Sequence, residues 1–208
     1  MEETRAVRTL SFLVVTLALY LLLWQLLSRF FDFPDYYYAR LIELLGIGLF
    51  AALFFFTPMN FDEMGIAVPR GVLFRSLALG GAAALCLVAL LAGGALLLRG
   101  NVSFSLHVRG DIARSTYFVV APLQEVLAKS VMLYSFESVF GGKHPRLANL
   151  MSALTFGAFH VVYGIRMMVL AMLLCLITGW MFRRVRCVWG CALTHFAFGF
   201  LPLCFGFS

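Results

Sequence analysis

Predominantly apolar runs of about the length of a membrane crossing recur along this chain, and most polar residues collect between them. The first run is "LSFLVVTLALYLLLWQLL", Leu10 to Leu27; others follow at about 41–56, 77–98, 117–136, 147–162, 167–182 and 187–205. A transmembrane helix needs ~20 predominantly apolar residues to cross ~30 Å of hydrocarbon. The pattern therefore predicts an all-α fold, a polytopic membrane helix bundle of about seven transmembrane helices. The first run is too long for a cleaved secretion signal and lacks a small-x-small site, so it is expected to be an anchor. Proline and glycine punctuate "TPMNFDEMGIAVPRG" as a loop, and "RGNVSFSLHVRGDIARS", which alternates polar and apolar, is expected to lie along the surface.

Composition strengthens this reading. Of 208 residues, 62% are hydrophobic and 12% charged, with a mean hydropathy of +0.96; soluble domains are nearer half apolar and a quarter charged. A single transmembrane domain over 1–208 is expected. The net charge of +6 and pI near 9.3 do not point to nucleic acid, because the cations are spread through short loops, as bilayer orientation requires. With the N-terminus inside, the inner loops hold nine cations (Arg5, Arg8, Arg70, Arg75, Lys143, Arg146, Arg183, Arg184, Arg186) and the outer loops six (Arg29, Arg40, Arg99, Arg109, Arg114, Arg166), which favours N-in and C-out. Five cysteines at no disulfide-like spacing read as small packing residues. Gly46, Gly48, Gly80, Gly81, Gly93 and Gly94 read as points of close helix approach, and Arg40 with Glu43 as an interfacial ion pair.

The polar residues inside the apolar runs change the picture. A charge at mid-bilayer costs at least ~2.5–3.5 kcal/mol on insertion scales, so such residues are rare and face the bundle interior. Here "APLQEVLAKSVML" carries Gln124, Glu125 and Lys129 on the fourth helix, "FGAFH" carries His160 on the fifth, and "CALTHFAFG" carries His195 on the seventh. Glu125 and Lys129, four apart, share a helix face and can pair. Cys187, Cys191 and His195 descend one face of the seventh helix in four-residue steps. Three chemistries could use this set. A carboxylate and a histidine could activate water, with the second histidine and an amide stabilising the oxyanion. Cys191, His195, His160 and Glu125 could ligate zinc. A cysteine beside a histidine could be the nucleophile of an acyl transfer.

"QEVLAK", "FGAFH" and "THFAFG" stand in the order and approximate spacing of Glu-Glu-x-x-x-Arg, Phe-x-x-x-His and His-x-x-x-Asn. In this the chain resembles the CAAX-protease and bacteriocin-processing family of glutamic intramembrane proteases. The likeness covers roughly residues 117–205, which it implies are the catalytic core. It implies that Glu125, His160, His195 and Gln124 are the catalytic set, with Phe156, Lys129 and Gly199 supporting, and no metal or cofactor. His160 matches the histidine that positions the attacking water, and His195 the one that helps bind the oxyanion. Lys129 replaces the family's arginine and loses its bidentate fork. Gly199 replaces an asparagine donor. Gln124 replaces the first glutamate, usually the general base, and an amide cannot take a proton from water. Bacterial members of a sortase-like subgroup are similar in reading Gln-Glu in the first motif and His-Phe-x-x-Gly in the third, which would make Glu125 the base.

The resemblance thus implies metal-independent peptide hydrolysis at or within the membrane. The substrate would be a membrane-tethered or lipid-anchored polypeptide: prenylated tails in eukaryotes, and bacteriocin leaders, immunity partners or surface-protein anchors in bacteria. Short loops and the absence of targeting sequences suggest a bacterial inner membrane. The expected partners are that substrate and the lipid bilayer; the oligomeric state stays open. The rivals are an inactive scaffold or immunity protein of the same fold, a zinc-dependent membrane protease, and a proton-coupled transporter that uses Glu and His as relays.

Overall fold

The computed structural model describes residues 2–32, 35–56, 61–62, 64–105 and 117–207. Among them there are seven helices and no strand: α1 (Glu2–Phe30), α2 (Asp35–Phe56), α3 (Arg70–Arg99), α4 (residues 117–139), α5 (Pro145–Ala158), α6 (Ile165–Val185) and α7 (Val188–Cys204). The chain is an all-α membrane helix bundle. Segments 10–30, 70–99 and 165–185 are long and apolar enough to cross a bilayer. The first three helices run past their expected ends because the apolar pattern marks only the lipid-crossing part, and a helix continues through its polar flanks. α3 starts behind Pro69 and ends at Gly100, whose left-handed φ of 72° lets its N–H close on the Leu96 carbonyl. His107, Arg109, Arg114 and part of the expected surface link lie outside the described residues.

α4 is the central helix. Every residue from Glu125 to Leu133 is buried, and α1, α2, α5, α6 and α7 all pack against this stretch. α1 contributes the fully buried Leu13 and Tyr20 to the core. The expected uniform α-helix at 117–136 is not what forms. Val126–Leu133 winds as a π-helix, and the Tyr134 N–H reaches back to the Lys129 carbonyl. Pro122 lies one turn upstream, where its missing N–H already breaks the α ladder. Hydroxyls from the surrounding chain satisfy the loosened backbone: Ser152 of α5 donates to the Ala128 carbonyl at 3.0 Å, and Ser135 to that of Val131 at 2.6 Å. Ser130 in turn donates to the Met64 carbonyl, which fastens the loop before α3 to the helix.

Close approach is the other packing device. α3 and α7 cross where Gly80 and Gly190 meet, and a Cβ on Gly190 would strike the Ser76 carbonyl and hydroxyl. Gly179 of α6 leaves the space that Asn149 of α5 fills, and the Asn149 amide donates to the Leu176 carbonyl at 3.0 Å. Among the described residues the expectation for the glycines holds for Gly80, whereas a Cβ at Gly48, Gly81 or Gly93 would meet nothing within 4 Å and one at Gly94 would meet Phe207 at 3.7 Å. Gly46 lies outside the described side chains. The Arg40–Glu43 pair forms at 2.7 Å. Cys175, Cys187, Cys191 and Cys204 are buried free thiols and Cys86 is exposed.

Candidate functional site

Glu125 closes the α-helical part of α4, where its carboxylate is fully buried. Its Oε1 is 2.9 Å from Nδ1 of His195 on α7. Its Oε2 lies 3.6 Å from Lys129 Nζ and accepts no hydrogen bond from a described residue. The carboxylate therefore has one oxygen held by an imidazole and the other facing a cation without a tight contact. A buried acceptor without a hydrogen bond costs roughly 1–3 kcal/mol, so this oxygen is one of the few buried polar atoms that call for an explanation.

Lys129 is also fully buried. Besides Glu125, its ammonium donates to the Cys175 carbonyl at 3.1 Å and contacts Cys175 Sγ at 3.0 Å. One cation thus ties α4 to α6 while neutralising the carboxylate. In a π-helix, with about 4.4 residues per turn, positions four apart still lie within about 35° of one face, so the pairing read from the sequence survives the change of winding. Thr178, one turn beyond Cys175 on α6, puts its hydroxyl 3.4 Å from Glu125 Oε1 while donating to the Leu174 carbonyl at 3.0 Å.

His195 sits on α7 and is buried. It is held by Glu125 and by two aromatic neighbours edge-on, Tyr117 at 6.0 Å and Phe156 at 5.8 Å between ring centroids. With Nδ1 directed at the carboxylate, Nε2 is the atom left for other chemistry.

His160 departs from expectation. α5 ends at Ala158, so His160 lies in the turn after it and ahead of a 3₁₀ turn, Val161–Tyr163. The cause is local. The imidazole Nδ1 donates to the Phe156 carbonyl at 2.8 Å, the acceptor that the His160 backbone N–H would use in a continuing α-helix. That N–H turns to the Gly157 carbonyl instead, at 2.8 Å. A carbonyl can only accept, so neutral His160 carries its proton on Nδ1 and presents Nε2 as an acceptor. Phe156 links the two histidines, its ring 4.7 Å from that of His160 and 5.8 Å from that of His195.

Gln124 is half-buried and takes no part in the bonds that join Glu125, Lys129, Thr178 and His195. Gly199 lies one turn beyond His195, and Tyr117 fills the space a side chain there would occupy. The four proposed zinc donors do not form a ligand set: among the described residues no group of three or more His, Cys, Asp or Glu side chains is placed to hold a metal. The reason is that Glu125 and His195 bond to each other, His160 is engaged with Phe156, and the Cys191 thiol donates to the Thr178 carbonyl at 3.2 Å. The same bond takes Cys191 away from service as a nucleophile. Cys187 precedes α7 in extended conformation, so the four-step stripe begins only at Cys191.

Sequence reasoning passed over Thr178, Cys175 and Tyr117. Cys175 and Thr178, three apart on α6, share a face, but neither is rare enough in an apolar helix to stand out. A buried carboxylate, a lysine, two histidines and an uncommitted carboxylate oxygen can together activate water and receive a proton. Residues 112–201 match the family model described as Rce1-like, Type II CAAX prenyl endopeptidase. No curated protein and no solved structure matches the chain.

Proposed function

Because residues 112–201 match the family model of the Rce1-like CAAX prenyl endopeptidases, we propose that the chain is a glutamic-type intramembrane endopeptidase whose catalytic core spans 117–205. The observation that carries this reading is the buried Glu125 carboxylate, bonded to His195 through one oxygen and open at the other. Glu125 Oε2 takes a proton from water while the water oxygen attacks the scissile carbonyl. Lys129 pairs with the carboxylate at 3.6 Å, and the carboxylate starts the reaction as the base. His160 Nε2 orients the water as a second acceptor. His195, its Nδ1 held on Glu125 Oε1, directs its Nε2–H at the oxygen that becomes negative. The proton held by Glu125 then passes to the departing amine as the C–N bond breaks. Gln124, beside the base and half-buried, supplies a further donor to the substrate.

The substrate is a membrane-anchored polypeptide cut near its end, since the site is walled by apolar helices and lies on a central helix. A prenylated C-terminal tail fits the family; the pairing of Gln124–Glu125 with His195–Gly199 favours a sortase-like bacterial subgroup acting at the inner membrane. The test compares membrane-protein termini by mass spectrometry in cells making the native chain and cells making Glu125→Gln. Expected is an uncleaved precursor that accumulates only with the variant. Identical termini in both would leave the inactive-scaffold reading in its place.

A further inference from the structure

Beyond the three motifs and the α6 groups Cys175 and Thr178, a polar side chain at the start of α4 reaches the site. Tyr117, eight residues ahead of Glu125 on α4, is half-buried. Its ring stands edge-on to His195 at 6.0 Å and stacks on Phe196 at 6.0 Å with 30° between planes. Its hydroxyl and the adjoining ring carbons fill the space where a Cβ on Gly199 would be. A phenol in apolar surroundings normally finds a partner, because leaving its O–H unpaired costs free energy. Gly199, one helical turn from His195 on the same face of α7, has no side chain to offer a donor. The tyrosine therefore brings from α4 the polar group that α7 lacks.

We propose that Tyr117 is a catalytic residue, its phenolic O–H donating a hydrogen bond to the scissile carbonyl oxygen as negative charge develops there. This rests on the hydrolytic reading above. The O–H bond does not break: Tyr117 and His195 both donate to the oxyanion, and the water's proton still goes to Glu125. The donor is fixed before substrate arrives by the stacked rings and by the glycine that admits it, which is the preorganisation such a site requires. It also accounts for Gly199, since any larger residue would displace the phenol.

The experiment uses the purified full chain and a peptide spanning the cleavage site found in the termini comparison, with kcat and KM measured separately. Tyr117→Phe keeps the ring packing and removes only the hydroxyl. Loss of one oxyanion donor lowers kcat by about 10²–10³-fold, with KM nearly unchanged. Tyr117→Ala loses as much; Tyr117→Ala/Gly199→Asn, which puts a short amide donor into the vacated space, recovers at least about tenfold of it. Tyr117→Ala/Gly199→Leu fills the space without a donor and recovers nothing. Wild-type kcat in Tyr117→Phe, or equal recovery by Leu and Asn, overturns the proposal while Glu125→Gln stays inactive. Cleavage that survives in Glu125→Gln, or no cleavage-dependent terminus at all, overturns the hydrolytic reading and this proposal with it.

Discussion

Lys129 carries its charge where no solvent reaches, with its donors directed at Glu125 and at the carbonyl and sulfur of Cys175. Removing one member of a buried ion pair strands the other, at a cost of about 3–5 kcal/mol. Lys129→Met is therefore expected to lower the thermal unfolding temperature in detergent markedly. Glu125→Gln/Lys129→Met, which removes both charges, should be less destabilised than the sum of the single changes, since groups in contact do not add; strict additivity would mean the pair is uncoupled. At this scale much of the candidate site was legible. Glu125, Lys129, His160 and His195 stand out because charge and imidazole are rare in apolar helices. Thr178 and Cys175 were not legible, because hydroxyls and thiols are common there and only the α4–α6 contact gives them a role. Tyr117 left one trace, a glycine one turn from a motif histidine, but which residue fills that space is set by helix packing.

At the scale of the element, α7 delivers His195 and is held by its crossing with α3. Gly190 lies against the Ser76 carbonyl, and its own N–H donates to the Ser76 hydroxyl at 3.0 Å. Gly190→Ala puts a methyl group against backbone, which cannot rotate away, so a cost of about 1–3 kcal/mol is expected from overpacking. Because the displaced helix carries His195, kcat should fall together with the unfolding temperature. Gly81→Ala, at an open position, should change neither, and the pair of variants measured side by side checks the argument. Helix number and order were legible from the apolar runs. Two features were not. The π-helix at Val126–Leu133 depends on hydroxyls donated by α5 and by α4's own next turn. The end of α5 depends on the His160 ring competing for the Phe156 carbonyl, which periodicity does not register.

In the whole molecule, the three motifs converge because α4 is central and α5, α6 and α7 surround it. The donor groups that zinc would need are engaged with one another or with the backbone. Treatment of the purified protein with a strong chelator is accordingly expected to leave cleavage unchanged, and about one zinc per chain lost together with activity would contradict this. By itself the sequence determined the class of the fold, the residues worth suspecting and the family they resemble. Those follow from the apolar runs that hydrocarbon demands, the cost of charge within them, and the order of three short motifs. Only the tertiary structure decided which oxygen of Glu125 is free, how Lys129 is shared with α6, where His160 leaves its helix and that Tyr117 stands beside His195. These depend on distances between helices far apart in the chain, and such distances are set by packing of side chains that no local pattern records.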